Sequence, residues 1–216
     1  MRSRTIEAYK TTLRLTDVQR DIVVGVLLGD AHLETQNGGR SYRLKVEQGH
    51  RHAEYVRHLY SELREWVLTP PKQKMGKTKG VITLNLAFQT VSHEELASYG
   101  SLFYRARRKV VPEQIRDIAT ARTLAYWFMD DGSMKSRQSK GVIFNTQAYD
   151  SSDIRRLIDV LEGFGLEAWE RRQSDGIQIY VSGSSYEQFA ELVGPYVIEA
   201  MRYKVPLTRR TQLPKR

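Results

Sequence analysis

Residues 124–135 read Leu-Ala-Tyr-Trp-Phe-Met-Asp-Asp-Gly-Ser-Met-Lys, which leads an apolar and aromatic helix directly into two carboxylates and a glycine. The C-terminal end of a helix carries the negative pole of its macrodipole, so Asp130 and Asp131 are disfavoured there unless a cation lies nearby. A similar segment lies upstream, where residues 23–34 read Val-Val-Gly-Val-Leu-Leu-Gly-Asp-Ala-His-Leu-Glu. Aligning the two apolar runs places Asp30 opposite Asp131, 101 residues later. The chain is therefore predicted to be arranged twice around this pair of acids.

Two capping boxes are predicted to start helices in the first half, Thr16 with Gln19 and Ser92 with Glu95. Hydrophobic periodicity between them predicts alternating helices and strands. The predicted elements are a helix ending at Gly29, a strand over residues 41–47, a helix over 52–67, a strand over 81–88 and a helix after Ser92. In the strand over 81–88, the residues predicted to face the core are Ile82, Leu84, Leu86 and Phe88.

The second half repeats this order from Thr120 onward. Its predicted elements are the helix that ends at Asp131, a strand over 142–148, a helix over 152–162, a hairpin over 167–182 that turns at Asp175-Gly176, and a helix over 186–193. Each half is thus predicted to run helix, two strands, helix, two strands, helix. The predicted fold class is α+β, with two pseudo-symmetric lobes over residues 1–112 and 113–216.

Composition limits the classes of partner and site. The 34 basic residues outnumber the 25 acidic ones by 9, which favours a polyanionic partner, with nucleic acid first and an idle basic surface as the alternative. The absence of cysteine excludes disulfides and thiolate metal sites. The longest apolar run, residues 22–29, is too short to span a membrane. No secretory signal is evident, so an intracellular location is expected, in cytoplasm, nucleoid or organelle matrix.

The two motif segments resemble those of the LAGLIDADG homing endonucleases, and specifically the single-chain branch with two motif copies. The closest likeness is to that branch's second motif, at residues 124–132. Three further stretches are similar: Trp-Val-Leu-Thr-Pro-Pro at 66–71, Asn-Thr-Gln at 145–147 and Tyr-Lys-Val-Pro at 203–206. The resemblance extends over most of the chain.

This resemblance implies two αββαββα lobes whose motif helices pack side by side at the lobe interface, with antiparallel sheets that form a DNA-binding saddle. It also implies that the last acid of each motif, Asp30 or Asp131, reaches a scissile phosphate. The implied activity is a site-specific double-strand cut with short 3′ overhangs in a long, asymmetric DNA target. The enzyme is expected to act as a monomer on double-stranded DNA.

Family members carry small residues where the two motif helices cross. Gly25 and Gly29 fit this pattern, whereas their counterparts Tyr126 and Asp130 do not. The details of the helix crossing are therefore open at this point.

The predicted acids imply a metal requirement. Two carboxylates at helix C-termini facing a phosphodiester would place negative charge against negative charge, so such a site requires divalent cations. Hard oxygen ligands favour Mg²⁺, with Mn²⁺ as a substitute. The candidate metal-binding residues are Asp30 and Asp131 with the neighbouring Gly29 and Asp130, and the alignment favours Asp131 over Asp130. An acid that merely ends a helix is the alternative, against which the second aligned copy argues.

Two lysines occupy matching positions. Lys109 precedes Val-Val-Pro and Lys204 precedes Val-Pro, 79 residues after Asp30 and 73 residues after Asp131 respectively. The resemblance matches them to basic residues beside the active sites, where an ammonium group polarises the attacking water or offsets charge on the phosphate. A single lysine is more often a solvated charge, but the paired positions favour the catalytic interpretation.

Glu47 and Gln147 form a third pair, 17 and 16 residues after the motif acids. By resemblance they flank the metal sites. The candidate catalytic residues are therefore Asp30, Asp131, Lys109, Lys204, Glu47 and Gln147.

The polar faces of the strands are the expected DNA-reading surface. Arginine, asparagine and glutamine suit base edges in the major groove, whereas a lysine-rich loop suits phosphates. For each residue alone, ordinary solvent exposure is the alternative. The candidate DNA-binding residues are Arg43, Lys45, Lys72, Lys74, Lys77, Lys79, Thr83, Asn85, Asn145, Arg171, Gln178 and Tyr180.

Two other functions stay open on the same scaffold: a non-cleaving, sequence-specific DNA-binding regulator, and a maturase that assists splicing of intron RNA. Loss of a motif acid or of a paired lysine would favour the regulator, and all four are present. An inert basic protein is a third alternative, against which the paired acids argue.

Overall fold

The computed structural model describes residues 4–78, 80–136 and 138–205, without the side chains of Thr78 and Val81. Its helices are α1 (Arg4–Lys10), α2 (Asp17–Leu28), α3 (Ala53–Glu62), α4 (Glu95–Phe103), α5 (Ile115–Ile118), α6 (Ala121–Asp131), α7 (Ser151–Gly163) and α8 (Tyr186–Val193). Its strands are β1 (His32–Glu34), β2 (Arg43–Gly49), β3 (Lys72–Thr78), β4 (Val81–Gln89), β5 (Tyr104–Arg105), β6 (Arg108–Lys109), β7 (Gly132–Ser136), β8 (Ser139–Phe144), β9 (Ala168–Gln173) and β10 (Gly176–Val181). Short 3₁₀ helices lie at His50–His52, Arg64–Trp66, Gly183–Ser185 and Glu199–Lys204.

The predicted order of helix, two strands, helix, two strands, helix occurs twice, from α2 to α4 and from α6 to α8. Each set of four strands forms an antiparallel sheet, in the order β1-β2-β4-β3 and β7-β8-β10-β9. The two sheets therefore have the same topology, and the predicted α+β class is confirmed. None of the helices in the described ranges combines the length and the apolar character that crossing a membrane requires.

The described chain divides into two compact units. Residues up to Val23 and from Asp30 to Lys109 form the first unit, and residues from Val24 to Gly29 and from Val110 onward form the second. Helix α2 thus contributes its last turns to the second unit. The predicted lobe limits, 1–112 and 113–216, stay a prediction.

The capping box at the start of α2 is present as predicted. The backbone N–H of Gln19 donates to Thr16 Oγ1 at 3.2 Å, and the backbone N–H of Thr16 donates to Gln19 Oε1 at 3.1 Å. The side-chain amide of Gln19 also donates to the carbonyl of Glu62 at 2.8 Å. The box therefore ties the start of α2 to the end of α3 as well as capping it.

We expect Thr16→Ala to lower the free energy of unfolding by about 1 kcal/mol, because it removes the acceptor for a helix N-terminal N–H. Urea denaturation followed by tryptophan fluorescence would measure the change. Thr16→Ser keeps the hydroxyl and serves as the control with a smaller loss. Equal stability of Thr16→Ala and the wild type would contradict the role of the cap.

The second predicted capping box is wrong. Helix α4 begins at Glu95 without a side-chain cap. The Glu95 carboxylate instead accepts from the backbone N–H of Leu15 at 3.1 Å and from Arg20 at 2.8 Å, while the hydroxyl of Ser92 bonds that of Ser41 at 2.8 Å. Both side chains are thus committed to partners from distant parts of the chain.

The first sheet is covered by helices over only part of its length. Helix α3 packs against β2 and β4 and buries the inward residues Leu86 and Phe88 to 6% and 5% exposure. The other two residues predicted to be inward, Ile82 and Leu84, are 68% and 40% exposed, so their predicted burial is wrong. Alternation fixes the face to which a side chain points, but burial also requires an element above that face.

The second unit has an aromatic core at the predicted motif helix. Trp127 and Phe128 are fully buried, and Trp127 stacks on Phe144 of β8 with ring centroids 4.1 Å apart. Phe128 meets Phe189 of α8 edge to face at 5.0 Å. The end of α6 is therefore held by packing against both a strand and a helix of its own unit.

Two local predictions in the second unit need small corrections. The strand predicted over 142–148 runs as Ser139–Phe144. The β9–β10 hairpin forms as predicted, but Gly176 pairs with Gln173, so its turn lies at residues 174–175. Gly176 adopts φ of 138°, a conformation that disfavours side chains with a Cβ.

Candidate active site

Helix α6 carries both Asp130 and Asp131 in its last turn. Thr120 caps the start of the helix, and its hydroxyl accepts from the backbone N–H of Thr123 at 3.1 Å. The helix ends at Asp131 and is followed by Gly132, where an added Cβ would lie 2.6 Å from the carbonyl oxygen of Phe128 and would overlap that residue's ring. Only glycine fits this position, which passes the chain from the helix directly into β7.

The last turns of α2 pack on α6 through glycines. An added Cβ at Gly25 would lie 2.6 Å from Tyr126 Cβ and 2.7 Å from the carbonyl oxygen of Thr123. At Gly29 it would lie 2.5 Å from Asp130 Cβ and would overlap that carboxylate. Glycines on one helix thus accommodate the larger side chains of the other, which answers the question left open by the sequence. Small residues at the end of α2 alone are sufficient for the close approach of this segment to α6.

Asp130 and Asp131 are therefore placed differently. The carboxylate of Asp130 lies against the backbone of Gly29, at the crossing of α2 and α6. Asp131 is the residue next to it along the helix, and its backbone carbonyl accepts from the N–H of Asn145 at 3.0 Å and from that residue's side-chain amide at 2.9 Å. Asn145 follows β8 directly, so it joins the end of the motif helix to the sheet.

Cations lie at the ends of both motif segments, as the macrodipole argument required. Lys204 Nζ donates to the carbonyl of Met129 at 2.6 Å and to that of Asp130 at 3.3 Å. Lys109 Nζ donates to the carbonyl of Ala31, beside Asp30, at 3.0 Å. Both predicted lysines thus lie next to the segment of their predicted acid. The contacts of Lys204 place a positive charge at carbonyls of the last turn of α6, which a helix leaves without backbone partners, and the contact of Lys109 places one just after the end of α2.

We expect Lys204→Met to lower the free energy of unfolding by about 1–2 kcal/mol, since it removes charged hydrogen bonds to the last turn of α6. Urea denaturation followed by circular dichroism would measure it. Lys140→Met is a matched control, because Lys140 is 64% exposed, and its Nζ pairs with the exposed Glu187 and lies 5.9 Å from the ring centroid of Tyr186. A similar loss of unfolding free energy in both variants would show that the carbonyl contacts of Lys204 stabilise the protein no more than a surface ion pair does.

Asp30 lies in the turn just after α2. Its Oδ2 accepts from Gln48 Nε2 at 2.7 Å, and Gln48 Oε1 lies 3.4 Å from His52 Nδ1. Sequence reasoning missed Gln48, because it selected the neighbouring Glu47 by spacing. The position of Gln48 at the end of a predicted strand was the available signal.

Glu47 is part of a polar cluster on the sheet. Its carboxylate accepts from Asn85 at 2.9 Å and from Lys74 at 3.0 Å. The hydrogen bond from Asn85 and then the one from Lys74 hold the pKa of Glu47 below its usual value. Glu47 therefore stays anionic at neutral pH.

The register of the sheets does not pair Glu47 with Gln147. His32, two residues after Asp30, lies opposite Lys45, two residues before Glu47. In the second sheet, Ser133 lies opposite Ile143, so the equivalent position is Asn145. Gln147 lies beyond the strand, where its amide is 3.4 Å from Asp175 Oδ2. The functional role of either residue stays a prediction.

We call the sheet face opposite the buried residues of its own unit the outer face. In the first sheet it carries Arg43, Lys45, Glu47, Lys72, Lys74, Thr83 and Asn85, as the cross-strand pairs show. Arg43 forms an ion pair with Glu34, and Lys45 Nζ lies 3.7 Å from the same carboxylate. The hydrogen bond from Arg43 lowers the pKa of Glu34, an outer-face residue that sequence reasoning missed.

Lys77 and Lys79 are the other two lysines of the predicted DNA-binding set. Lys77 lies opposite Ile82, so it belongs to the inward-pointing face and not with Lys72 and Lys74. Lys79 lies outside the described residues.

The outer face of the second sheet carries the four residues predicted there. Gln178 lies opposite Arg171 and donates to Asn145 Oδ1 at 2.9 Å, and Tyr180 lies two residues further along β10. Amide groups therefore occupy the positions next to Asp131. In the first sheet, the equivalent region contains a carboxylate and a lysine.

Comparison with known proteins agrees with this architecture. The sequence model of the LAGLIDADG DNA endonuclease family matches residues 20–189. The chain belongs to this family.

Relatives of this LAGLIDADG protein include nucleases and a maturase. The probable intron-encoded endonuclease 1 of Wickerhamomyces canadensis is 29% identical over 213 residues, covering 94% of this chain and 90% of that protein. The cytochrome b mRNA maturase bI2 of Saccharomyces cerevisiae is 28% identical over 199 residues, covering 85% of this chain and 46% of the maturase. The solved structure of the homing endonuclease I-WcaI bound to its DNA recognition sequence is similar with a TM-score of 0.88, at 27% identity, covering 95% of this chain and 94% of that one. The predicted family and fold are confirmed.

The available side chains limit the kind of metal ion that the two LAGLIDADG motifs can bind. Within residues 4–78, 80–136 and 138–205, no group of three or more histidine, aspartate or glutamate side chains could hold an ion. Mg²⁺ commonly keeps several waters and binds one or two carboxylates together with substrate phosphates. Each motif acid, Asp30 or Asp131, therefore fits an ion whose coordination is completed by DNA, and neither fits a zinc or calcium site made by protein alone.

Proposed function

We propose that this LAGLIDADG protein is a monomeric, site-specific homing endonuclease that makes a double-strand cut with short 3′ overhangs in a long DNA target. The observation that carries the proposal is the repeated pairing of a motif acid with a lysine. Lys204 binds the carbonyls next to Asp131, and Lys109 binds the carbonyl next to Asp30. A regulator that only binds DNA would need neither member of such a pair.

Mg²⁺ is the proposed cofactor, with Mn²⁺ as a substitute, and Asp30 in the first unit and Asp131 in the second would each bind an ion. Bound to a phosphodiester, such an ion supplies an activated water and stabilises the leaving oxygen. The chain itself holds these carboxylates at fixed points, since Gln48 orients Asp30 and the α6 core fixes Asp131. Lys109 and Lys204, anchored on backbone carbonyls, would offset the negative charge that develops on a phosphate bound at the motif acids.

The outer faces of the two sheets are proposed to bind double-stranded DNA. Arg43, Lys45, Lys72 and Lys74 provide positive charge for phosphates and guanine edges, while Asn145, Arg171 and Gln178 suit adenine and guanine edges. The two faces differ in chemistry at equivalent positions, which supports an asymmetric target. An intracellular location follows as a proposal from the substrate.

The test begins with selection of random DNA duplexes by binding in EDTA, followed by exposure of the selected duplexes to Mg²⁺. We expect recurrent double-strand breaks with short 3′ overhangs at one sequence, and none in EDTA. Binding without cleavage in Mg²⁺ or Mn²⁺ would overturn the nuclease proposal in favour of a regulator. Light scattering of the complex would test the proposed monomer.

An RNA-splicing maturase is a second candidate, favoured by the similarity to the Saccharomyces cerevisiae maturase. This activity is compatible with cleavage, because it needs an RNA-binding surface and not the motif acids. Splicing of the host intron by the Asp131→Asn variant would support it. Unchanged splicing in the absence of the protein would remove it.

A further inference from the structure

One cross-strand row on the outer face of the second sheet is apolar in three of its four residues. Register places Ser133, Ile143, Tyr180 and Trp169 side by side across all four strands. The equivalent row of the first sheet contains His32, Lys45 and Gln89. The two units thus present polar and apolar chemistry at matching positions.

The aromatic pair in this row is built into the sheet. The rings of Trp169 and Tyr180 lie 4.9 Å apart between centroids, and Lys135 Nζ lies 5.3 Å from the centroid of Tyr180. The ring of Tyr180 lies over Gly141 of the neighbouring strand, where an added Cβ would come within 2.5 Å of its Cε2. Glycine on β8 therefore allows the tyrosine to lie across the sheet.

Trp169 of this pair is exposed where a polar face would be expected, and Tyr180 is half-buried. Trp169 is 44% exposed on the edge strand β9, whereas Trp66 and Trp127 are fully buried. The adjacent row carries Asn145, Gln178 and Arg171, which form the proposed base-reading surface. The exposed indole is thus next to groups that suit base edges, and Lys135 adds a positive charge at the ring of Tyr180.

The major groove of DNA offers one apolar group, the C5 methyl of thymine. We propose that Trp169 and Tyr180 form a contact that selects thymine by its methyl group at one or two adjacent positions of the half-site read by the second unit. This inference rests on the proposed function, because it requires that the outer face of this sheet contacts DNA.

The test uses two libraries of random duplexes, one made with thymine and one with uracil in its place. Wild-type protein is selected on each library in EDTA, so that the readout is binding and not cleavage. We expect a thymine preference at one or two adjacent positions that falls about fourfold with uracil, the effect of one buried methyl. Cytosine replaced by 5-methylcytosine at those positions should regain most of the preference.

Trp169→Ala should lose the thymine preference at the same positions and should respond no further to uracil. Arg172→Ala is the matched control, since Arg172 is exposed on the same strand but lies opposite Ile177, on the other face. It should keep the preference. Selection of one sequence with no uracil effect in the wild type would overturn this inference alone, and no misfolding of a variant can produce that result. Failure to select any sequence would overturn the proposed function as well.

Discussion

Asp131→Asn is expected to abolish DNA cleavage while DNA binding is retained. The carboxylate is the proposed metal ligand of the second motif, and its loss should raise the barrier by about 4 kcal/mol, equal to about a thousandfold in rate. The variant should fold, because asparagine has nearly the same shape and the backbone contact of Asp131 with Asn145 does not use the carboxylate. Single-turnover cleavage and gel-shift binding of the selected target would measure both effects.

Asp130→Asn is the matched control for this prediction. Its carboxylate packs against Gly29 at the helix crossing, so the substitution should change stability more than cleavage. Asp30→Asn should reproduce the Asp131→Asn phenotype from the first unit. Full turnover by Asp131→Asn, or equal loss in Asp130→Asn, would refute the assignment of Asp131.

The parts of the fold that the sequence predicted correctly depend on short-range spacing. Thr16 and Gln19 are three residues apart, so the geometry of one helical turn brings them together wherever the helix lies. The repeated apolar run that ends at Asp30 and Asp131 likewise marks two helix ends within a few residues. The cations that make these ends acceptable were predicted from their paired positions.

Features that depend on contacts between residues distant in sequence could not be predicted from short-range spacing. Counting residues from each acid gave Gln147 as the counterpart of Glu47, whereas register gives Asn145. The count fails because β1 and β2 are joined by a connection of eight residues and β7 and β8 by one of two. A capping residue with a distant partner fails for the same reason, as Glu95 with Leu15 illustrates.

The solvent exposure of a side chain is another property that hydrophobic periodicity does not determine. Ile82 and Leu84 alternate correctly but extend past the helix that covers the rest of β4. Trp169 shows the converse, since an aromatic residue in a strand suggests a core position and lies instead on the outer face. Which face of a strand is covered depends on the packing of whole elements.

Gly25→Ala is expected to destabilise the second unit by about 3 kcal/mol, although alanine is the better helix former by about 1 kcal/mol. The new methyl would lie 2.6 Å from Tyr126 Cβ and 2.7 Å from the carbonyl oxygen of Thr123. Neither atom can move alone, because one is attached directly to the backbone of α6 and the other belongs to it. Relief therefore requires the last turns of α2 to separate from α6, which exposes buried residues such as Val26.

Gly163→Ala provides the comparison that isolates this packing effect. Gly163 is also helical, but its added Cβ would meet only the flexible side chain of Arg116, at 3.3 Å from Nε. That variant should be neutral or slightly stabilised by the helix propensity of alanine. Urea denaturation of both variants, followed by tryptophan fluorescence, separates the cost of packing at Gly25 from the gain in helix propensity. If Gly25→Ala proved as stable as Gly163→Ala, α2 and α6 could not cross through glycine at this position, and the placement of Asp130 against Gly29 would be wrong with it.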